Sequence, residues 1–575
     1  MTRFFTLLCF AVLSAALLLS CSNNAPKETR LIPKNALAVI TIDPYALKDK
    51  LQNGGINIDS VLNGIFTNDS TDIADKKIVT HLQTHAGINW KEKFHFFTQQ
   101  KKGSENSSIS TLNILASLSN EADFSTALST NKNSFTTSIQ KEKSFSYTFL
   151  KNNGILAWNK SFLMLCFYSQ KVKPFYDTVN MRFIIPEKTD EKKNMLDEIN
   201  QRFNQPLSAS IASIPAFGEM FKQKSEGYIF ASSNALNGLN NMSFQLPKLE
   251  ELLNDNYLAA TLSFEEGKIR ASATLFTNPL ASSILKNYAG PTVDLSLINN
   301  YPSQHINAIF MASFNPAIAS GVLKQLEVES LVNSFLSKSG INSADFFAAL
   351  KGDIAVVVSD LGIRMNEPQT KIDELSLTIK QPIGKLIARL PVGNEKNFHN
   401  AMKIAVKEGW VIQSGNNYKA GELLNAAGFF MMANNKEIII ANDSLTYAQF
   451  LVKSKTNTIK PEVKAYFSGK STAFYIDLTE TLNGFFKDSA GIFGRTSLTA
   501  KNTLKSIYGS SENFAGKSIL SSIEIRMQNE QQNSLVTLVS LLTHLTVDMR
   551  AQARHERELE EKQFPAGFPA VIRAN

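Results

Sequence analysis

The chain has 575 residues, 43% of them hydrophobic, which is enough to bury more than one core and excludes intrinsic disorder. Its formal charge of +8 comes from cations scattered along the chain. It lacks the dense basic stripe with interleaved aromatics that nucleic-acid binding requires, so nucleic acid is excluded as a partner.

The amino end reads as an address. Arg3 precedes an apolar run from Phe4 to Leu19, the length of a secretory signal core and short for a membrane-spanning helix. The run ends in Leu18-Leu19-Ser20-Cys21, which resembles the bacterial lipobox, in which a diacylglycerol is placed on the cysteine thiol. Residues 1–20 are therefore expected to be a lipoprotein signal peptide, Cys21 the lipidation site and 21–30 a polar tether. Each buried methylene contributes about 0.8 kcal/mol, so two or three palmitate-like chains make attachment effectively permanent. Of the three cysteines, Cys9 leaves with the signal and Cys21 carries lipid. Cys166, within the apolar run Phe162 to Tyr168, is then expected to be an inert core thiol, and stability must come from packing without a disulfide.

Beyond the tether the chain repeats six features in one order. Ile32-Pro33, a strand over Leu37 to Ile42 and Asp43-Pro44 are answered by Tyr301-Pro302, a strand over Asn307 to Phe314 and Asn315-Pro316. Gly87-Ile88-Asn89 is answered by Gly340-Ile341-Asn342, each suited to a helix end. A strand over Ile114 to Leu118 leads to a helix carrying Phe124 and Ala127, as Leu386 to Leu390 leads to Phe398 and Ala401. A hairpin of Ile155 to Lys160 and Phe162 to Phe167 matches Phe430 to Lys436 and Ile438 to Ala441. Tyr228 to Phe230 matches Phe474 to Ile476. Finally the hairpin Leu258 to Phe264 and Ile269 to Leu275, around Glu265-Glu266-Gly267-Lys268, is matched with Ile519 to Met527 and Leu535 to Leu542 as a second hairpin. The offsets run from roughly 245 to 275 residues. The fold class predicted is α+β, with two tandem homologous domains of antiparallel hairpins packed with helices, over 31–290 and 298–546. Residues 547–575 form a charged helical tail.

Catalytic and metal-binding patterns are weak. His81 and His85 stand four apart, a spacing that lets two imidazoles share a metal, but no third ligand accompanies them. Gly469-Lys470-Ser471 and Gly516-Lys517-Ser518 echo the end of a phosphate-binding loop, yet Lys464 and Ser511 stand where its first glycine belongs. Both are expected to be turns before strands. Glu265 and Glu266 are adjacent in a tight turn and point apart, unlike paired acid–base carboxylates. No catalytic set, metal site or cofactor is expected.

The lipobox, the Ile32-Pro33 and Ala38 to Asp43 opening, the hairpin Ser263-Phe264-Glu265-Glu266-Gly267-Lys268-Ile269 and the second opening at Tyr301-Pro302 together resemble a family of Bacteroidetes lipoproteins. That family is catalogued as domain of unknown function forty-eight thirty-six. The resemblance covers most of the mature chain, departs at Tyr301 where isoleucine is usual, and supplies no catalytic residues. It also implies O-glycosylation at Asp-Ser/Thr pairs followed by a small or aliphatic residue, a pattern met at Ser60, Ser70, Thr178, Ser444 and Ser489.

The resulting expectation is a lipid-anchored cell-envelope protein, sorted to the outer membrane because Ser22 rather than Asp follows the cysteine. It binds or scaffolds a protein or glycan without catalysis. The alternatives are an envelope-polymer hydrolase with a site gathered from distant residues, marked by a pocket holding two carboxylates or a histidine with a hydroxyl, and a carrier of an apolar ligand. Replacing the lipidated thiol, Cys21→Ser, is expected to abolish acylation by mass spectrometry and to move the protein out of the membrane fraction. Retention of both would contradict the address.

Overall fold

Side chains alternate along Ala38–Ile42 so that Val39 and Thr41 are buried and Ile40 is exposed, the period-two pattern of a strand with one covered face. The same alternation recurs through a mixed α+β fold in which, among the described residues, the ladders are antiparallel. The computed structural model describes residues 24–57, 86–103, 107–130, 138–150, 154–177, 179–185, 190–234, 248–337, 340–365, 380–452, 459–486 and 491–563. It divides into two units, one of Met1–Leu47, Ala74–Gly238 and Asp255–Leu262, the other of Lys48–Ile73, Leu239–Asn254 and Ser263–Asn575.

In the first unit the strands are β1 (Ala38–Ile42), β2 (Phe94–Lys102), β3 (Ser107–Ser117), β4 (Gln140–Lys141), β5 (Ser146–Leu150), β6 (Gly154–Trp158), β7 (Phe162–Val172), β8 (Phe175–Asp177), β9 (Arg182–Ile184), β10 (Gly227–Ser232) and β11 (Tyr257–Glu265). The sheet runs β4-β5-β6-β7-β3-β2-β1-β10-β11, and β8 with β9 forms a separate hairpin. Pro44 opens helix α1 (Pro44–Asn53), where its missing N–H costs nothing. Helix α2 (Glu121–Thr130) buries Phe124 and Leu128 with Trp158 and Leu163, and Phe124 meets Trp158 edge to face at 5.4 Å. Helix α3 (Glu191–Asn204) is capped by Asp190, which accepts from the Lys192 and Lys193 amides. The short helix α4 (Pro215–Glu219) buries Phe217 against Phe230.

The second unit holds β12 (Lys268–Phe276), β13 (Ile306–Ser313), β14 (Asp353–Met365), β15 (Lys380–Pro391), β16 (Val411–Ser414), β17 (Asn417–Ala420), β18 (Phe430–Ala433), β19 (Glu437–Ala441), β20 (Thr472–Asp477), β21 (Leu504–Ser511) and β22 (Ser518–Met527). Its order is β16-β17-β18-β19-β15-β14-β13-β20-β21-β22-β12. Strand for strand, the first nine positions repeat the order of the first unit. Helix α5 (Ala317–Gln325) follows β13 behind Pro316 as α1 follows β1. Helix α6 (Glu395–Lys407) buries Phe398 and Met402 over Val411, Tyr418 and Ala433, in the place α2 takes in the first unit. Helix α7 (Ser444–Leu451) follows β19, and α8 (Pro461–Phe467) sinks Val463 and Phe467 into a core with Ile309, Met311, Val357, Ile387 and Tyr475.

Both sheets carry a buried polar pair at the same corner, three residues before the helix-opening proline. In the first unit Thr41 pairs across β1–β2 with His95, and its hydroxyl lies 2.8 Å from His95 Nδ1. In the second, Ser313 pairs across β13–β14 with Asp353 and donates to Asp353 Oδ1 at 2.7 Å.

Two expectations are corrected. Leu535 to Leu542 is not a strand: it begins helix α9 (Ser534–Gln563), with Leu535, Val536 and Leu541 buried. Polar residues recur there at every third position (Ser534, Thr537, Ser540, Thr543), leaving apolar ones at helical spacing. The mates of β11 and β12 in chain order are instead β21 and β22. The division between units also falls within β11, at Leu262/Ser263, and not between 290 and 298. β12 lies in the second unit because it pairs with β22 from Lys268↔Arg526 to Phe276↔Ser518.

Candidate functional site

Inward positions on adjacent strands of the first unit hold polar residues where alternation would place apolar ones. On β2 these are His95 and Gln99, and on β3 they are Thr111 and Asn113, all buried. The inner stripe of α3 is Met195, Ile199 and Arg202, so an arginine occupies a core position of an amphipathic helix. Arg202 is 1% exposed. Its Nη1 donates to Asn113 Oδ1 at 2.5 Å, and its Nη2 to Gln99 Oε1 and Thr111 Oγ1 at 3.2 Å and to Glu198 Oε2 at 3.4 Å. The guanidinium lies over the Phe97 ring, 5.4 Å from its centroid. The other Glu198 oxygen accepts from Lys101 Nζ at 2.5 Å.

This network floors a cleft of about 400 Å³. Its walls are Pro33, Lys34 and Asn35 ahead of β1, Gln201 on α3 and Gln205 just past its end, Asn234 after β10, Asp255 ahead of β11 and Tyr257 at its start. Gln99 Nε2 donates to Asn35 Oδ1 at 2.5 Å, and the Asp255 amide donates to Asn234 Oδ1 at 3.2 Å. Tyr257 stacks on Phe230 and donates its hydroxyl to Asp255 Oδ1 at 2.8 Å. Burial and that bond hold the phenol well above its usual pKa. Lys34, Asn35, Gln201 and Asp255 are exposed to an incoming ligand. Amide donors and acceptors beside an aromatic face suit a polyhydroxylated molecule of one or two sugar rings.

The second unit has a smaller pocket, about 90 Å³, lined by Gln304, Lys460, Tyr475, Asp477, Glu480 and apolar neighbours. Lys460 Nζ and Tyr475 Oη both donate to Asp477 Oδ2, at 3.0 and 2.8 Å. Three of the polar groups on its wall are thus bonded to one another.

Cys21, Ser60, Ser70, Thr178 and Ser489, with His81 and His85, lie outside the described residues. Ser444 is exposed in the first turn of α7, and its neighbour Asp443 caps that helix by accepting from the Thr446 amide. Cys166 is fully buried on β7, with its thiol pushed up by burial, as a core residue. Gly469 and Gly516 take left-handed φ values of 75° and 78° directly before β20 and β22, in the turns expected of them. Glu265 is spent on ion pairs with Lys268 and Arg270.

Sequence reading missed two polar groups. One is Arg202, signalled by an arginine at core spacing on α3. The other is the line Thr41–His95–Glu28, in which His95 Nε2 lies 3.1 Å from Glu28 Oε1. Hydroxyl, imidazole and carboxylate stand in the order of a nucleophilic triad, but Thr41 and His95 are fully buried and Glu28 nearly so. No substrate reaches them, and the line instead pins the short turn Lys27–Leu31 to the sheet.

Residues 28–478 match the family model described as Domain of unknown function (DUF4836). The chain belongs to this family. The DUF4836 match contains every residue that lines the cleft. No curated protein matches the chain. Among solved structures, crystal form I of TP0453 matches at 10% identity and a TM-score of 0.22, over 44% of this chain and 80% of that one. Crystal form IV of TP0453 matches at 11% and 0.24, over 46% and 86%. Alignments this loose bear on neither the fold nor the role of the DUF4836 chain.

Arg202→Ala would take the guanidinium donor from Asn113 Oδ1, Gln99 Oε1 and Glu198 Oε2, and is expected to lower unfolding stability by about 3–5 kcal/mol. Gln201→Ala on the exposed side of the same helix should stay within about 0.5 kcal/mol of the parent. Urea denaturation of both variants checks the contrast.

Proposed function

We propose that the protein is a lipid-anchored component of the cell envelope, held by lipid on Cys21 and sorted to the outer membrane, that binds a glycan in the first unit's cleft without cleaving it. The observation that carries this reading is the preformed polar cleft itself. Its floor is fixed by a buried arginine, its rim offers amides, a free-standing lysine side chain and a carboxylate, and Tyr257 supplies an aromatic wall. A protein partner would need on the order of 1,200–2,000 Å² of interface, whereas a cleft of about 400 Å³ fits a short saccharide. The shared strand order and the matched corner pairs support descent of the two units from a duplication, with one copy keeping an open cleft.

A second reading, an envelope-polymer hydrolase, draws on the presence of Glu198 and Asp255 in one cleft. A general acid must present a proton to its leaving group. Both oxygens of Glu198 accept from cations and Asp255 accepts from Tyr257, which favours binding over turnover.

Calorimetric titration with N-acetylglucosaminyl-N-acetylmuramic acid, whose carboxylate suits Lys34, tests the proposal against neutral chitobiose. The expected result is saturable binding that prefers the acidic disaccharide and weakens roughly fivefold in Gln201→Ala, the loss of about one hydrogen bond. Unchanged binding in the Lys34→Ala, Gln201→Ala double variant would remove the cleft from the account. Release of monosaccharide would establish the hydrolase instead.

A further inference from the structure

Between β7 and α3 the β8–β9 hairpin pairs Phe175↔Ile184, Tyr176↔Phe183 and Asp177↔Arg182. Its apolar side chains are turned to solvent: Val179 is 86% exposed, Phe183 75%, Met181 72% and Ile185 69%. Exposed apolar residues gathered at this density on one short element mark a contact surface rather than a chance of composition. The Tyr176 and Phe183 rings meet edge to face at 5.1 Å, and the Tyr176 hydroxyl reaches the Met181 sulfur at 3.7 Å. Met181 holds a left-handed φ of 49°, rare for a residue with a side chain.

Cations outnumber acids on the described residues of this element and its stem. Lys171, Lys173 and Arg182 are exposed, against the acids Asp177 within it and Asp190 where α3 begins. The single acid of the hairpin, Asp177, is turned to the backbone and accepts from the Val179 and Asn180 amides and from Asn180 Nδ2. An apolar tip with aromatic flanks above a cationic collar fits the boundary between acyl chains and anionic headgroups. A convex hairpin also suits a soft, flat partner better than a grooved one.

We propose that the β8–β9 hairpin is a second membrane contact, seating Val179, Met181 and Phe183 in the headgroup region of an anionic bilayer, which requires that the acceptor pattern at Thr178 carry no sugar. The inference is independent of the cleft, and takes from the proposed function only that lipid on Cys21 keeps a bilayer at hand. It makes the anchored protein bear on the membrane at two points, so that the first unit is held rather than swinging on its tether.

The test uses the full acylated protein carrying Val179→Cys, labelled with nitrobenzoxadiazole; Cys166 is buried and Cys21 is blocked, so the new thiol takes the label. In phosphatidylglycerol–phosphatidylethanolamine vesicles the emission should shift to the blue and be quenched by nitroxide-bearing lipid. Both effects should diminish in Phe183→Asp and in pure phosphatidylcholine vesicles. Water-like emission from protein that floats with the vesicles overturns the hairpin's role while leaving the anchor standing. Failure to float removes both. A blue shift without vesicles, growing with protein concentration, overturns the proposal in favour of contact between copies of the chain.

Discussion

A guanidinium removed from water costs several kcal/mol unless its donors are matched, and much of the first unit's inner architecture answers that demand. Arg202 takes a position on α3 that Met195 and Ile199 would predict to be apolar. Three strand residues, Gln99, Thr111 and Asn113, must then be polar on a face otherwise given to Phe97, Leu115 and Met164. Glu198, one turn back on the helix, supplies the carboxylate and is itself held by Lys101. Chained in this way, the groups leave a polar floor open at one end, and the cleft is the consequence. Its shape is set by side chains already committed to one another, so little ordering is left to oppose a ligand.

The second unit shows the same scaffold without that constraint. Its sheet repeats the strand order, and its corner keeps a buried hydroxyl, Ser313, facing a polar partner. Asp353 stands there in place of histidine, and among the described residues no helix arginine is buried in its core. The polar group there, Lys460 with Tyr475 and Asp477, is bonded within itself. One framework thus carries a pocket of about 90 Å³ in one unit and a cleft of about 400 Å³ in the other. The strand order common to both units describes the fold, while the departures from it set the two pockets apart.

Much of the architecture was legible in the chain. Apolar runs ending at Asp43-Pro44 and Asn315-Pro316 located β1 and β13, turn residues between apolar runs located the hairpins β6–β7 and β18–β19, and prolines marked the openings of α1 and α5. Phe124 and Phe398 were correctly placed on helix faces turned to the core. Legibility failed where two periodicities compete. Leu535 to Leu542 has apolar content suited to either element, and the three-residue recurrence of its polar positions decides for a helix. The domain limit was misplaced because β12 finds its partner in β22, a pairing across some 250 residues that no local pattern announces. The cleft was missed for a related reason. Its lining joins residues 99, 101, 198 and 202, unremarkable one by one, and only the docking of α3 on the sheet brings them together.

The central claim is that Arg202 and its partners hold open a cleft that receives a sugar. A crystal structure of the mature chain grown with N-acetylglucosaminyl-N-acetylmuramic acid tests it most directly. The account predicts a sugar ring against Tyr257, with hydrogen bonds from Gln201 and Lys34 and the Arg202 network unmoved. Sugar bound elsewhere on the molecule, or a cleft that collapses onto its own side chains, would contradict it.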